Sequence, residues 1–147
     1  MKNEIMVGVG TVGSIVASFF GGWTASMTTL LLFMLIDYVT GLIVAGVFHK
    51  SKKTDTGALE SRAGFKGLFK KGMVMVLVLV AYRLDLATGT GGTYIRDAVC
   101  IAFVANETIS IIENAGLMGL KIPAVLENAV DLLRKKKETD LNQTLNE

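Results

Sequence analysis

The stretch from Tyr94 to Leu120 is long and apolar enough to cross a bilayer, yet it carries Arg96, Asn106, Glu107, Ser110, Glu113 and Asn114. At about 100° per residue these six side chains fall within roughly a third of a helix circumference, and Ala, Val, Ile, Phe and Leu cover most of the rest. A carboxylate in hydrocarbon costs about 2.5–3.5 kcal/mol even on lenient insertion scales. A helix with this stripe therefore needs partners, water or both, which is a property of an assembly or a lesion and not of a simple anchor.

The other apolar residues are also gathered in blocks, at Ile5 to Phe20, Thr24 to Phe48 and Leu68 to Leu86. A soluble helix alternates apolar and polar residues, whereas Thr29 to Phe48 holds one charged residue, Asp37, in twenty. The pattern predicts an all-α integral membrane protein with transmembrane helices at about 24–48, 68–86 and 95–120. A short N-terminal apolar helix at 5–20 and a C-terminal amphipathic helix at 122–137 complete a single membrane domain, 1–137, followed by a polar tail, 138–147. Segment 5–20 is short for a span, and its Gly10 and Ser14, and Gly13 and Ala17, lie four apart, a spacing that lets helices approach closely. If it crosses there are four crossings with both termini inside; if it does not there are three, with the N-terminus outside. It looks superficially like a secretory signal, but only Lys2 precedes it and no cleavage site leads into soluble sequence, so it reads as retained. Met6 is a candidate internal start.

Charge placement gives orientation. Seven of the fifteen Lys and Arg residues lie between Lys50 and Lys71, opposed by Asp55 and Glu60, and four more form Arg134, Lys135, Lys136 and Lys137. Short basic loops stay cytoplasmic, so Lys50, Lys52, Lys53, Lys66, Lys70 and Lys71 place the 49–67 loop and its flank inside, and the Arg134–Lys137 run places the C-terminus there too. The two spans between them turn at the Gly-rich segment 88–93 on the outer side. The basic loop is expected to touch anionic lipid rather than nucleic acid. Lys66, Lys70 and Lys71 are expected to run their stems along the span and carry their ammonium groups to water.

Asp37, with Thr40 about 60° round the same helix, sits in the middle of the most apolar block. Such a residue either serves function or pairs with a base such as Arg83 or Arg96 to hold a bundle. Cys100, alone in an apolar span, reads as a core residue. The chain has no nucleophile–base pair, no His–carboxylate metal set and no phosphate loop following a strand, so neither an enzyme nor a cofactor is expected.

Asp37-Tyr38-Val39-Thr40-Gly41, the element Gly64-Phe65-Lys66-Gly67 leading to Lys70 and Lys71, and Asn106-Glu107 through Glu113-Asn114-Ala115, followed by Gly116, Leu117 and Pro123, appear in one order in the chain. In these motifs, over roughly residues 20–135, it resembles the phage holin family that includes the clostridial toxin-secretion holins. The resemblance implies a small protein of the host cytoplasmic membrane that forms homo-oligomers and permeabilises the membrane at a set time, releasing an endolysin or a toxin, with no catalytic residue. Asp37, Thr40, Arg96, Asn106, Glu107, Ser110, Glu113 and Asn114 are then pore-lining or oligomer-interface candidates. A stable channel or transporter using Asp37, Glu107 and Glu113 is the alternative, and a scaffold that recruits partners through its basic segments is a third class.

Overall fold

The computed structural model describes residues 1–89, 91–132 and 135. Four long helices follow one another: α1 Lys2–Phe19, α2 Ala25–Gly46, α3 Ser61–Thr88 and α4 Tyr94–Leu117. A further helical segment covers 124–132, where the Pro123 carbonyl accepts from the amides of Leu126 and Glu127. Arg134, Lys136 and Lys137 of the basic run and the tail 138–147 lie outside the described residues.

Helix α4 packs along both α2 and α3, whereas α2 and α3 meet only briefly. On α2 the buried residues Met27, Leu30, Met34, Asp37 and Val44 are separated by three, four, three and seven positions, the heptad spacing of helices that pack along one seam. The same rhythm runs through Val74, Val78, Ala81 and Asp85 on α3 and through Arg96, Cys100, Phe103, Glu107, Ser110 and Asn114 on α4. Their apolar members meet in a core of Met27, Leu30, Met34, Val78 and Cys100, with Val74 and Phe103 packed against it.

The distribution of polarity is inverted relative to a water-soluble bundle. Asp85 and Arg96 are each 1% exposed and Asp37 4%, while Leu35, Ile101 and Phe69 are 59%, 63% and 78% exposed. No residue of α1 is buried. Among the described residues α2 alone is clearly long and apolar enough to cross a membrane, with a mean hydropathy of 2.0. The expectation of three such spans is thus met by one, because α3 and α4 interleave ionisable residues with their apolar ones.

Two other expectations change. The loop predicted at 49–67 ends at Glu60, and α3 takes in residues 61–67. Gly64 and Gly67, which read as loop residues, lie in the helix with Tyr38 of α2 beside them: a Cβ on Gly64 would stand 3.7 Å from its hydroxyl and one on Gly67 3.8 Å from its ring, ordinary van der Waals contact. The turn between α1 and α2 is held by a distant side chain. Arg96 donates to the carbonyls of Phe20, Gly21 and Gly22 at 2.6, 3.3 and 3.2 Å, binds Asp97 at 2.9 Å, and lies 5.9 Å from the centre of the Tyr82 ring. Asp85 on α3 accepts from the amides of Ile95 and Arg96, both at 2.9 Å, so the otherwise unsatisfied first turn of α4 is capped by a neighbouring helix.

Gly21 has φ +76°, and a Cβ there would stand 2.2 Å from Tyr82, whereas one on Gly22, at φ +91°, would meet nothing within 4 Å. Gly21→Ala is therefore expected to destabilise the fold by about 1–3 kcal/mol through strain and clash, and Gly22→Ala by less. Unfolding of the two variants in detergent micelles checks the order.

Candidate functional site

The residues flagged by sequence separate by angle on α4. Arg96, Glu107 and Asn114, which lie within about 20° of one another round the helix, are buried, and Ser110, about 40° away, is partly buried. Asn106 and Glu113, a further 40–60° round at about 100° per residue, are exposed. The stripe is thus two surfaces, one facing the bundle seam and one at its edge.

At the seam, Asp37 of α2, Lys71 of α3 and Glu107 of α4 form one charged layer. Lys71 Nζ lies 2.8 Å from Asp37 Oδ2 and also binds Glu107 Oε2, and its side chain is only 15% exposed. The other oxygen of Asp37 accepts from Ser110 Oγ at 2.5 Å and from Asn114 Nδ2 at 3.0 Å. Asn114 also donates to Thr40 Oγ1 at 2.9 Å, and that hydroxyl donates to the Ile36 carbonyl at 2.8 Å. Among the described residues no buried side-chain nitrogen or oxygen lacks a partner. Burying such groups is tolerable only when they are satisfied in this way.

The pairing of Asp37 with Arg83 or Arg96 does not occur. Arg83 is exposed, Arg96 is spent on the α1–α2 turn, and Lys71 takes the place foreseen for them. Lys71 was expected to extend toward water, but two carboxylates on facing helices draw its ammonium inward. A sequence signal for this existed: Lys71 lies three before Val74 and so continues the heptad seam Val74, Val78, Ala81, Asp85. Asp85, to which no role was assigned, is found by the same spacing. Lys50, Lys52, Lys53, Lys66 and Lys70 remain exposed. Cys100 is fully buried in the apolar core, as its setting implied.

The layer carries two carboxylates and one ammonium, a formal surplus of one negative charge. Beside it lies a cavity of about 510 Å³ lined by Asp37, Glu107, Asn106 and Lys53, among others. Among the described residues no three His, Cys, Asp or Glu side chains gather as a metal site. The charge pairing and hydrogen bonding of this layer can hold helices together or, if they part, line a polar path.

Buried ion pairs with large apolar side chains on the outside define a small helical membrane protein. The sequence agrees: the bacteriophage holin family model matches residues 14–135, and the chain belongs to that family. An uncharacterised protein of Listeria monocytogenes is 38% identical over 140 residues, covering 95% of this chain and 94% of its own length. One from Clostridium perfringens is 36% identical, covering 92% and 96%. A Bacillus phage phi105 protein named "Probable holin" is 27% identical, covering 84% and 85%. No solved structure matches.

Lys71→Met would leave two buried carboxylates facing each other without a counter-charge, and is expected to destabilise the bundle by about 3–5 kcal/mol. The triple variant Asp37→Asn, Lys71→Met, Glu107→Gln should recover most of that loss. Denaturant titration of both in detergent micelles measures the difference; equal losses would mean that the layer is not a charge-pairing unit.

Proposed function

We propose that the chain is a holin whose helices α2, α3 and α4 all cross the bacterial cytoplasmic membrane, and that copies of it associate there to permeabilise the membrane and release an endolysin. The inverted polarity of the bundle carries this: its charges pair inside and its large apolar side chains face outward, as hydrocarbon requires. Lengths are compatible. At 1.5 Å per residue, the 22 residues of α2 reach about 33 Å, the 24 of α4 about 36 Å, and Lys71–Thr88 of α3 about 27 Å, against a hydrocarbon core of about 30 Å. Helix α1, with 18 residues and apolar groups exposed on every side, reaches about 27 Å and supplies the remaining crossing in a four-span arrangement.

The Lys and Arg distribution puts the 47–60 connection and the C-terminal segment on the cytoplasmic side, and the α3–α4 turn outside. Residues 1–137 then form the membrane domain and 138–147 a cytoplasmic tail. In the separated protomer Asp37, Thr40, Ser110 and Asn114 hydrogen-bond with one another and Lys71 joins Asp37 to Glu107, while Asn106 and Glu113 stand at the exposed edge. That edge is the first contact between copies. The paired seam becomes lumen lining when helices part and water enters. A toxin, the other cargo that the resemblance implies, would leave by the same release step as a larger protein.

A stable small channel remains the second reading, favoured by the cavity that reaches Asp37 and Glu107. The two separate on expression. Induction in a bacterial host with a cytoplasmic endolysin is expected to give abrupt loss of turbidity and membrane potential, and without the endolysin, loss of potential without lysis. Sustained growth with measurable solute flux would favour the channel. Asn106→Leu and Glu113→Gln are each expected to shift the onset of lysis and the oligomer distribution; wild-type behaviour in both would remove the edge from the mechanism.

A further inference from the structure

The basic residues of the 47–71 region are not spread evenly. The 510 Å³ cavity lies between α2, the connection that follows it, the first turns of α3 and the Phe103 to Ser110 stretch of α4, and its lining is of mixed chemistry. Lys53, Lys66 and Lys70 line it, and so do the aliphatic Leu42, Leu59 and Val74. Among the described residues none of these three lysines is within ion-pairing distance of a carboxylate. Lys66 and Lys70 are four apart on one face of α3, an arrangement of like charges that costs a few tenths of a kcal/mol when nothing compensates it. Lys53, although exposed, brings its Nζ to 3.9 Å from where a Cβ on Gly41 would stand. The carboxylates that line the cavity are Asp37, Glu60 and Glu107, of which Asp37 and Glu107 already share Lys71.

A cavity lined by both ammonium groups and aliphatic side chains suits a molecule with an anionic phosphate and an apolar body. We propose that it binds the headgroup of an anionic phospholipid, with Lys66 and Lys70, joined by Lys53, on the phosphodiester and the apolar wall against the glycerol and first methylenes. The placement rests on the orientation proposed above, which brings the cavity to the cytoplasmic headgroup level, where basic pockets between helices take such lipids. A cavity of this volume is within the range of small-molecule sites. Free phosphate shares the anionic chemistry but offers nothing to Leu42, Leu59 or Val74.

Native mass spectrometry of the full chain from a neutral detergent, titrated with phosphatidylglycerol or phosphatidylcholine, tests the site. Saturable binding of phosphatidylglycerol over phosphatidylcholine is expected, and Lys66→Gln with Lys70→Gln should weaken it about thirtyfold, the effect of two lysine–lipid contacts. Lys50→Gln with Lys52→Gln removes the same charge from exposed positions that do not line the cavity, and should leave binding within about twofold. Equal loss in both pairs would mean diffuse surface attraction and overturn the proposal, as would displacement of the lipid by inorganic phosphate at matching concentration. Permeabilisation plays no part in this readout. A chain that lyses cells normally but shows no selective binding loses the lipid site and keeps its proposed function; one that binds but never lyses does the reverse.

Discussion

Lys71 places one ammonium between carboxylates on two other helices, and most of the bundle's geometry follows from that. Sliding any of the three helices by one turn, about 5.4 Å, would part at least one largely buried charge from its partner. Apolar seams of Met, Val and Leu tolerate such slips because one methyl resembles another. A single polar position in a heptad seam is the known device for fixing register, and here each of three helices contributes one at the same level. Asn114, Ser110 and Thr40 add direction, since an amide and two hydroxyls accept and donate in only a few orientations.

A second polar layer lies toward the other end of the seam. From Lys71 to Asp85 is fourteen residues, about 21 Å of helix, and between them Val74, Val78 and Ala81 carry no charge. At this second level the interactions are mostly with backbone: Asp85 with the first amides of α4, Arg96 with carbonyls of the α1–α2 turn. The two layers do different work. The first joins side chains across helices; the second closes helix ends and a turn whose polar groups would otherwise face hydrocarbon or each other. Since no α1 residue is buried, the Arg96 clasp is a main tie between that helix and the rest.

Much of this was legible in the sequence, and the parts that were not share a cause. Apolar blocks located the helices, and Asp37, Glu107, Ser110 and Asn114 stood out because polar residues in such blocks are costly. Lys71 did not, because a lysine at the edge of an apolar block has a cheap alternative, extension to water, and only the position of carboxylates on other helices decides between the two. Arg96 was noticed but not its partners, since backbone carbonyls of a turn 74 to 76 residues away leave no mark in composition. Gly64 and Gly67 misled for a related reason: glycine signals a breaker locally, and the packing of these helical turns beside Tyr38 is visible only in three dimensions.

The proposed pore must be built from this already satisfied interior. A protomer whose charges were unpaired would gain from any contact that paired them, and would associate without delay. Here the seam charges are mutually neutralised save for one, so the association proposed through the exposed edge at Asn106 and Glu113 would leave them undisturbed. Opening has a barrier, because parting α3 from α2 and α4 exposes Asp37, Lys71 and Glu107 together. Hydrocarbon cannot receive them and water can. On the proposed mechanism the same three residues would hold a closed bundle in one of those solvents and line an open one in the other, and a collective change that admits water to many protomers at once is how such a barrier would be crossed abruptly.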